Sequence, residues 1–67
     1  MSGERPSVRV VVAEDSVLFR EGLVRLLVER AYVVAAAVGD AVALVEAVQR
    51  HDPDLAIIDV RMPPGME

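Results

Sequence analysis

No cysteine occurs in the 67-residue chain. Neither a disulfide nor a thiolate–zinc site can therefore staple a fold this small. Lysine, asparagine and threonine are also absent, so all seven basic residues are arginine. With 11 acidic residues the net charge is −4, the wrong sign for gripping nucleic-acid phosphates, which takes clustered Lys and Arg. The aromatics are reduced to Phe19 and Tyr32. No uninterrupted apolar run approaches the about 18 residues of a membrane span, and Met1 to Ser7 lacks the apolar stretch of a secretory signal. The expectation is a soluble, cytoplasmic protein.

What the chain does have is aliphatic bulk: 54% of it is apolar, mostly Val, Ala and Leu. That composition favours packed strands and helices over disorder. A chain this short buries only about 60% of the surface its unfolded form exposes, so one marginal domain is the most it can build. The run Val8 to Ala13 reads as a strand buried on both faces, because its apolarity is nearly continuous and β-branched. Ser16 is placed to cap a helix over 17–30. Phe19, Leu23, Leu26 and Leu27 form one apolar stripe on that helix, and Glu21 and Arg25 make an i,i+4 pair on its wet side. Val17, Val24 and Val28 make a second stripe, more than one sheet face needs.

A second strand is expected over 32–38, started by Tyr32 and closed by Gly39. Asp40 can cap a helix over 41–50 whose core face is Leu44, Ala47 and Val48. Pro53 ends that helix by disfavouring helical geometry in the residue before it. His51, at its end, is read as complementing the helix dipole rather than as a ligand or phosphodonor. The third strand covers 55–59, and Pro63, Pro64 and Gly65 force a loop. The order β-α-β-α-β leaves connections long enough for parallel, right-handed crossovers.

The chemistry lies at the strand ends. Glu14 and Asp15 follow the first strand directly, and Asp59 ends the third. Each acid taken singly has a plain structural reading, as a turn former or a favourable charge at a helix start. Jointly they say more. Open α/β sheets bind ligands at the carboxyl ends of their strands, near the switch in strand order. If strands one and three are neighbours, three carboxylates converge there, and their mutual repulsion calls for a hard cation. Mg²⁺ suits such oxygen donors, and Asp59 could then act as a nucleophile toward phosphorus.

The stretches Val-Val-Val-Ala-Glu-Asp (10–15), Phe-Arg-Glu-Gly-Leu (19–23), Leu-Leu (26–27), Pro-Asp-Leu (53–55) and Ile-Ile-Asp-Val-Arg-Met-Pro (57–63) resemble the receiver domain of two-component response regulators. The resemblance runs from about Val8 to Glu67, after a polar tail over 1–7. It implies a flavodoxin-like (CheY-like) fold with parallel strands in the order 2-1-3, truncated before strand four. It matches Asp59 to the phosphoacceptor, Asp15 to the direct Mg²⁺ ligand, and Glu14 to the acidic neighbour that acts through water. Arg61 matches the position whose backbone carbonyl completes the metal ligands. The phosphodonor implied is a sensor histidine kinase. Arg-Met-Pro-Pro-Gly (61–65) and the 19–23 stretch are similar to regulators with a LuxR-type helix-turn-helix output domain, through which DNA would be bound.

There are departures. Receivers also use a Ser or Thr after strand four and a Lys after strand five, and these 67 residues supply neither, so switching by this chain alone is not expected. Ala31 stands where the family often has Gly. A haloacid-dehalogenase-type phosphotransfer enzyme is an alternative, but it wants a second Asp where Arg61 stands. A nucleotide-binding domain would need a Gly-rich turn in place of Ala13-Glu14-Asp15-Ser16. A further alternative is a structural half-domain that self-associates through an exposed strand-three edge, with the Val17, Val24, Val28 stripe left in solvent where the family's last helix packs. The chain is not expected to be an enzyme in its own right.

Overall fold

The computed structural model describes residues 7–59. The elements are β1 (Arg9–Ala13), α1 (Val17–Glu29), β2 (Val33–Val38), α2 (Ala41–His51) and β3 (Leu55–Ile58). The three strands form one parallel sheet in the order β2-β1-β3. β1 is thus the central strand, and Val10, Val11 and Val12 are 0% exposed. Strand residues alternate between faces. Val10 and Val12 pack with Leu27 of α1, joined by Leu23, Tyr32, Val34 and Ile57. Val11 and Ala13 therefore point to the opposite face, where α2 rests on β1 and β2 and buries Ala47.

Both helices start on the expected caps. The Ser16 hydroxyl accepts from the Phe19 N–H at 3.3 Å, and the Asp40 Oδ1 accepts from the Ala43 N–H at 2.8 Å. Tyr32 does not begin β2. Its N–H is already spent on the Leu27 carbonyl at 3.0 Å, so the ladder starts at Val33. The Ala31 N–H donates to the Val28 carbonyl at 3.0 Å, and with the Tyr32–Leu27 bond this makes the two-bond helix ending that puts its first outside residue in the left-handed region. Ala31 holds that place, with φ 71°.

Two expected core positions of α1 are exposed instead. Phe19 is 65% exposed and Leu26 is also in solvent, whereas Leu27 is buried and Leu23 half-buried. At about 100° per residue, Leu23 lies ~40° from Leu27 around the helix, but Phe19 and Leu26 lie ~80–100° away. Three strands do not reach that far around the helix. Val48 of α2 is likewise exposed. Val17 and Val28 do face solvent, but Val24 and Val28 share a groove with Ala37 of β2. On the opposite flank, Leu18, Phe19 and Leu26 line a separate hollow with Glu14, Gly22 and Leu23.

Arg9 ties the amino-terminal edge together. Its N–H donates to Asp54 Oδ2 at 2.9 Å, its carbonyl accepts from the Asp54 N–H at 2.9 Å, and its Nη2 donates to the His51 carbonyl at 2.7 Å. These bonds seat the α2–β3 turn on β1 and so help to set the register Val10↔Leu55 through Ala13↔Ile58.

Ala31→Gly removes the Cβ from the left-handed position and should raise stability by about 1 kcal/mol. Chemical denaturation followed by circular dichroism should show a higher midpoint at unchanged slope, and a lower midpoint would contradict the cap geometry.

Candidate metal centre

β1 runs directly into Glu14 and Asp15, and β3 ends one residue before Asp59. Ala13 pairs with Ile58 in a parallel ladder, so both strands present their next residues at one sheet edge. The ladder extends past the strands: the Asp59 N–H donates to the Ala13 carbonyl at 3.0 Å, and the Glu14 N–H donates to the Val38 carbonyl at 2.9 Å. One carboxylate oxygen from each of Glu14, Asp15 and Asp59 then lies within 4.8 Å of the others. A register slip of one residue would turn these side chains to the other face, so the packing of β1 decides whether the acids meet.

The three acids sit in different surroundings. Glu14 is only 8% exposed, Asp59 is half-buried, and Asp15 is exposed. A buried carboxylate is costly unless hydrogen-bonded, and Glu14 Oε2 accepts from the Ser16 N–H at 3.0 Å, at the mouth of α1. The positive end of the helix dipole favours an anion there. The Glu14 carbonyl accepts from Arg20 Nη1 at 2.8 Å. Glu14 is thus held at its N–H, its carbonyl and its carboxylate. Among the described residues, no buried side-chain polar atom lacks a partner.

The sequence pattern gives Arg20 no role beyond its place in the 19–23 stretch. Its contact is between the first turns of α1 and the tip of β1, and periodicity does not report such a contact. Arg61, the expected carbonyl ligand, lies outside the described residues, as do Met62 and Pro63.

Oxygen donors alone, with Asp15 in contact with solvent, fit a small hard cation that keeps several waters. The cluster offers no nitrogen or sulfur ligand of the kind that zinc sites employ. The donor chemistry therefore fits Mg²⁺.

Comparison with known proteins gives the family. The response regulator receiver domain profile matches residues 10–67. This chain belongs to that receiver family. The receiver is 46% identical to the probable transcriptional regulatory protein NarL of Mycobacterium tuberculosis (strain ATCC 25618 / H37Rv), an alignment covering 100% of this chain and 32% of that protein. It is 44% identical to the transcriptional regulatory protein PdtaR of the same strain, covering 82% of this chain and 27% of that one. A protein-glutamate methylesterase/protein-glutamine glutaminase of Anaeromyxobacter dehalogenans is 42% identical over 91% of this chain and 18% of its own length. The solved receiver domain of NarL from Mycobacterium tuberculosis superposes with a TM-score of 0.82 at 44% identity, covering 94% of this chain and 51% of that one.

The receiver thus spans about a third or less of the curated relatives it matches. Its three parallel strands in the order 2-1-3 with two helices are the flavodoxin-like arrangement expected, and membership of this family favours phosphorelay signalling over the haloacid-dehalogenase alternative.

Three carboxylates within 4.8 Å repel one another, so Asp15→Asn should stabilise the metal-free protein by a few tenths of a kcal/mol at low salt. The gain should shrink as NaCl approaches ~1 M, where the screening length falls to about 3 Å. Thermal melts across a salt series measure this, and a gain independent of salt would exclude charge repulsion as its source.

Proposed function

We propose that the receiver accepts a phosphoryl group on Asp59 from the phosphohistidine of a sensor histidine kinase. The observation that carries this reading is the convergence of Glu14, Asp15 and Asp59 within 4.8 Å at the carboxyl edge of the sheet, in a chain of this family. An Asp59 carboxylate oxygen attacks phosphorus as the P–N bond breaks. The imidazole leaves with the electron pair of that bond and takes up a proton, and an acyl phosphate remains on Asp59. Asp15, Asp59 and the Arg61 backbone carbonyl would hold Mg²⁺. Glu14 would act through water, in keeping with the Ser16 N–H on its Oε2. When bound, the cation neutralises charge on the phosphoryl oxygens.

The receiver is a substrate of phosphotransfer rather than an enzyme, and residues 8–67 are its contribution to the parent protein, after a polar tail over 1–7. The parent is a cytoplasmic transcriptional regulator whose DNA contacts come from a LuxR-type output domain. Two observations support this: relatives named as transcriptional regulators and a net charge of −4, unfavourable for contact with DNA phosphates. No described helix is long and apolar enough to cross a membrane. Switching needs the hydroxyl and the lysine that these 67 residues do not supply. As an isolated polypeptide, the chain self-associates through β3, which among the described residues pairs on one side only and exposes Leu55 and Ile58, an open edge of the kind that recruits a further strand.

With acetyl phosphate and Mg²⁺, intact-mass spectrometry should show one added phosphoryl group, lost on Asp59→Asn and on chelation of the cation. Phosphorylation that survives Asp59→Asn would move the acceptor elsewhere. Light scattering of the 67-residue chain should show concentration-dependent dimers or larger species, and a monomer at all concentrations would remove the β3-edge proposal.

A further inference from the structure

Arg20 lies outside the three acids, yet it reaches the peptide that joins two of them. Its Nη1 is 2.8 Å from the carbonyl oxygen of Glu14, and that carbonyl belongs to the Glu14–Asp15 peptide. The orientation of a planar peptide sets ψ of the residue before it and φ of the residue after it. Holding this carbonyl therefore fixes the direction in which the Asp15 Cβ leaves the chain. Asp15 is exposed, so packing does little to aim its carboxylate.

The guanidinium reaches this point because Gly39 makes room. A Cβ built on Gly39 would lie 2.8 Å from Arg20 Nη1 and 4.0 Å from the Glu14 carbonyl oxygen. Gly39 does not occupy the left-handed backbone region, so its backbone would tolerate a side chain. What the position requires is space.

We propose that Arg20 is the positioning residue of the acidic edge, aiming Asp15 through the Glu14 carbonyl, and that Gly39 is the gap that lets the guanidinium in. This inference rests on the metal-site reading for its affinity readout but has a second readout that needs no metal. Charge alone predicts the opposite sign from positioning. Removing a cation from beside three carboxylates should tighten Mg²⁺ binding, whereas releasing the Glu14–Asp15 peptide should weaken it. Gly39→Ala keeps every charge and every ligand and displaces only the guanidinium.

The test uses the full chain and Mg²⁺ alone, with Gly39→Ala, Arg20→Ala and the double variant. Each single change should weaken Mg²⁺ about tenfold, the lower end of the effect of losing a partner that orients a metal ligand. The double variant should be no weaker than Arg20→Ala, because both changes break one contact. In metal-free amide correlation spectra, the Asp15 resonance should move in every variant. Unchanged Mg²⁺ affinity with only a lower melting temperature, or a double variant about a hundredfold weaker, would make Arg20 merely structural and overturn the inference. Should Arg20→Ala fail to fold, Gly39→Ala decides alone. A parent chain indifferent to Mg²⁺ would sink the metal-site reading, and the Asp15 resonance in metal-free Gly39→Ala would still decide the positioning role.

Discussion

From Val10 to Ala13, β1 is buried from every direction: β2 and β3 flank it, and a helix packs on each face. Val10, Val11 and Val12 are fully enclosed, and each stabilises the fold by about 1.5–3 kcal/mol through removal of its side chain from water. No other described element is so enclosed, since both helices keep exposed apolar residues and β3 exposes Leu55 and Ile58. Packing around β1 therefore sets the register of both neighbours. That register carries Glu14 to the end of β2, where its N–H meets the Val38 carbonyl, and Asp59 to the end of β1, where its N–H meets the Ala13 carbonyl. The acidic edge is a consequence of core packing one residue further back along each strand.

Much of this is legible in the sequence because burial on both faces leaves a compositional mark. Val10 to Ala13 has the continuous apolar character that a central strand needs, although Val8, read as part of the same buried run, precedes β1 and is exposed. Asp59 stands directly after Leu55 to Ile58. The caps Ser16 and Asp40 are equally legible, because a polar side chain before an apolar-periodic segment has a local partner a few residues on. The exposure of Phe19 and Leu26 is not. A helical stripe tells which residues share a side, but the width of the sheet beneath decides how much of the stripe is covered. Ala31 is half legible: the family resemblance marks it as unusual, and the left-handed φ gives the cost a physical origin. Arg20 is illegible because its partners, the Glu14 carbonyl and the space at Gly39, come together only once α1 and β2 have docked.

Glu14 and Asp15 are neighbours in sequence but not in physics. Glu14 is buried and committed, with its carboxylate held by the Ser16 N–H at the start of α1. Asp15 is exposed and depends on its backbone for direction. Two adjacent acids with opposite environments can divide the work of one site, one anchoring the strand tip and the other meeting a ligand. Replacing Glu14 would disturb the fold and the site together, whereas replacing Asp15 touches the site with little cost to the fold.

The absence of lysine bears on how the sheet is closed at its two ends. At the amino-terminal edge Arg9 donates to the His51 carbonyl through Nη2 and so helps position β3. At the carboxyl edge Arg20 donates to the Glu14 carbonyl through Nη1 and holds the tip of β1. Both side chains bond to backbone oxygen on a different element from their own. A guanidinium is well suited to such bridging because its planar fork of donors is pre-organised, so less side-chain entropy is lost per bond than with a flexible ammonium. The two clamps bracket β1: Arg20 ties the tip of β1 to α1, and Arg9, with its bonds to His51 and Asp54, fixes the relative height of β1 and β3. That height is the quantity on which the distance between Asp15 and Asp59 depends.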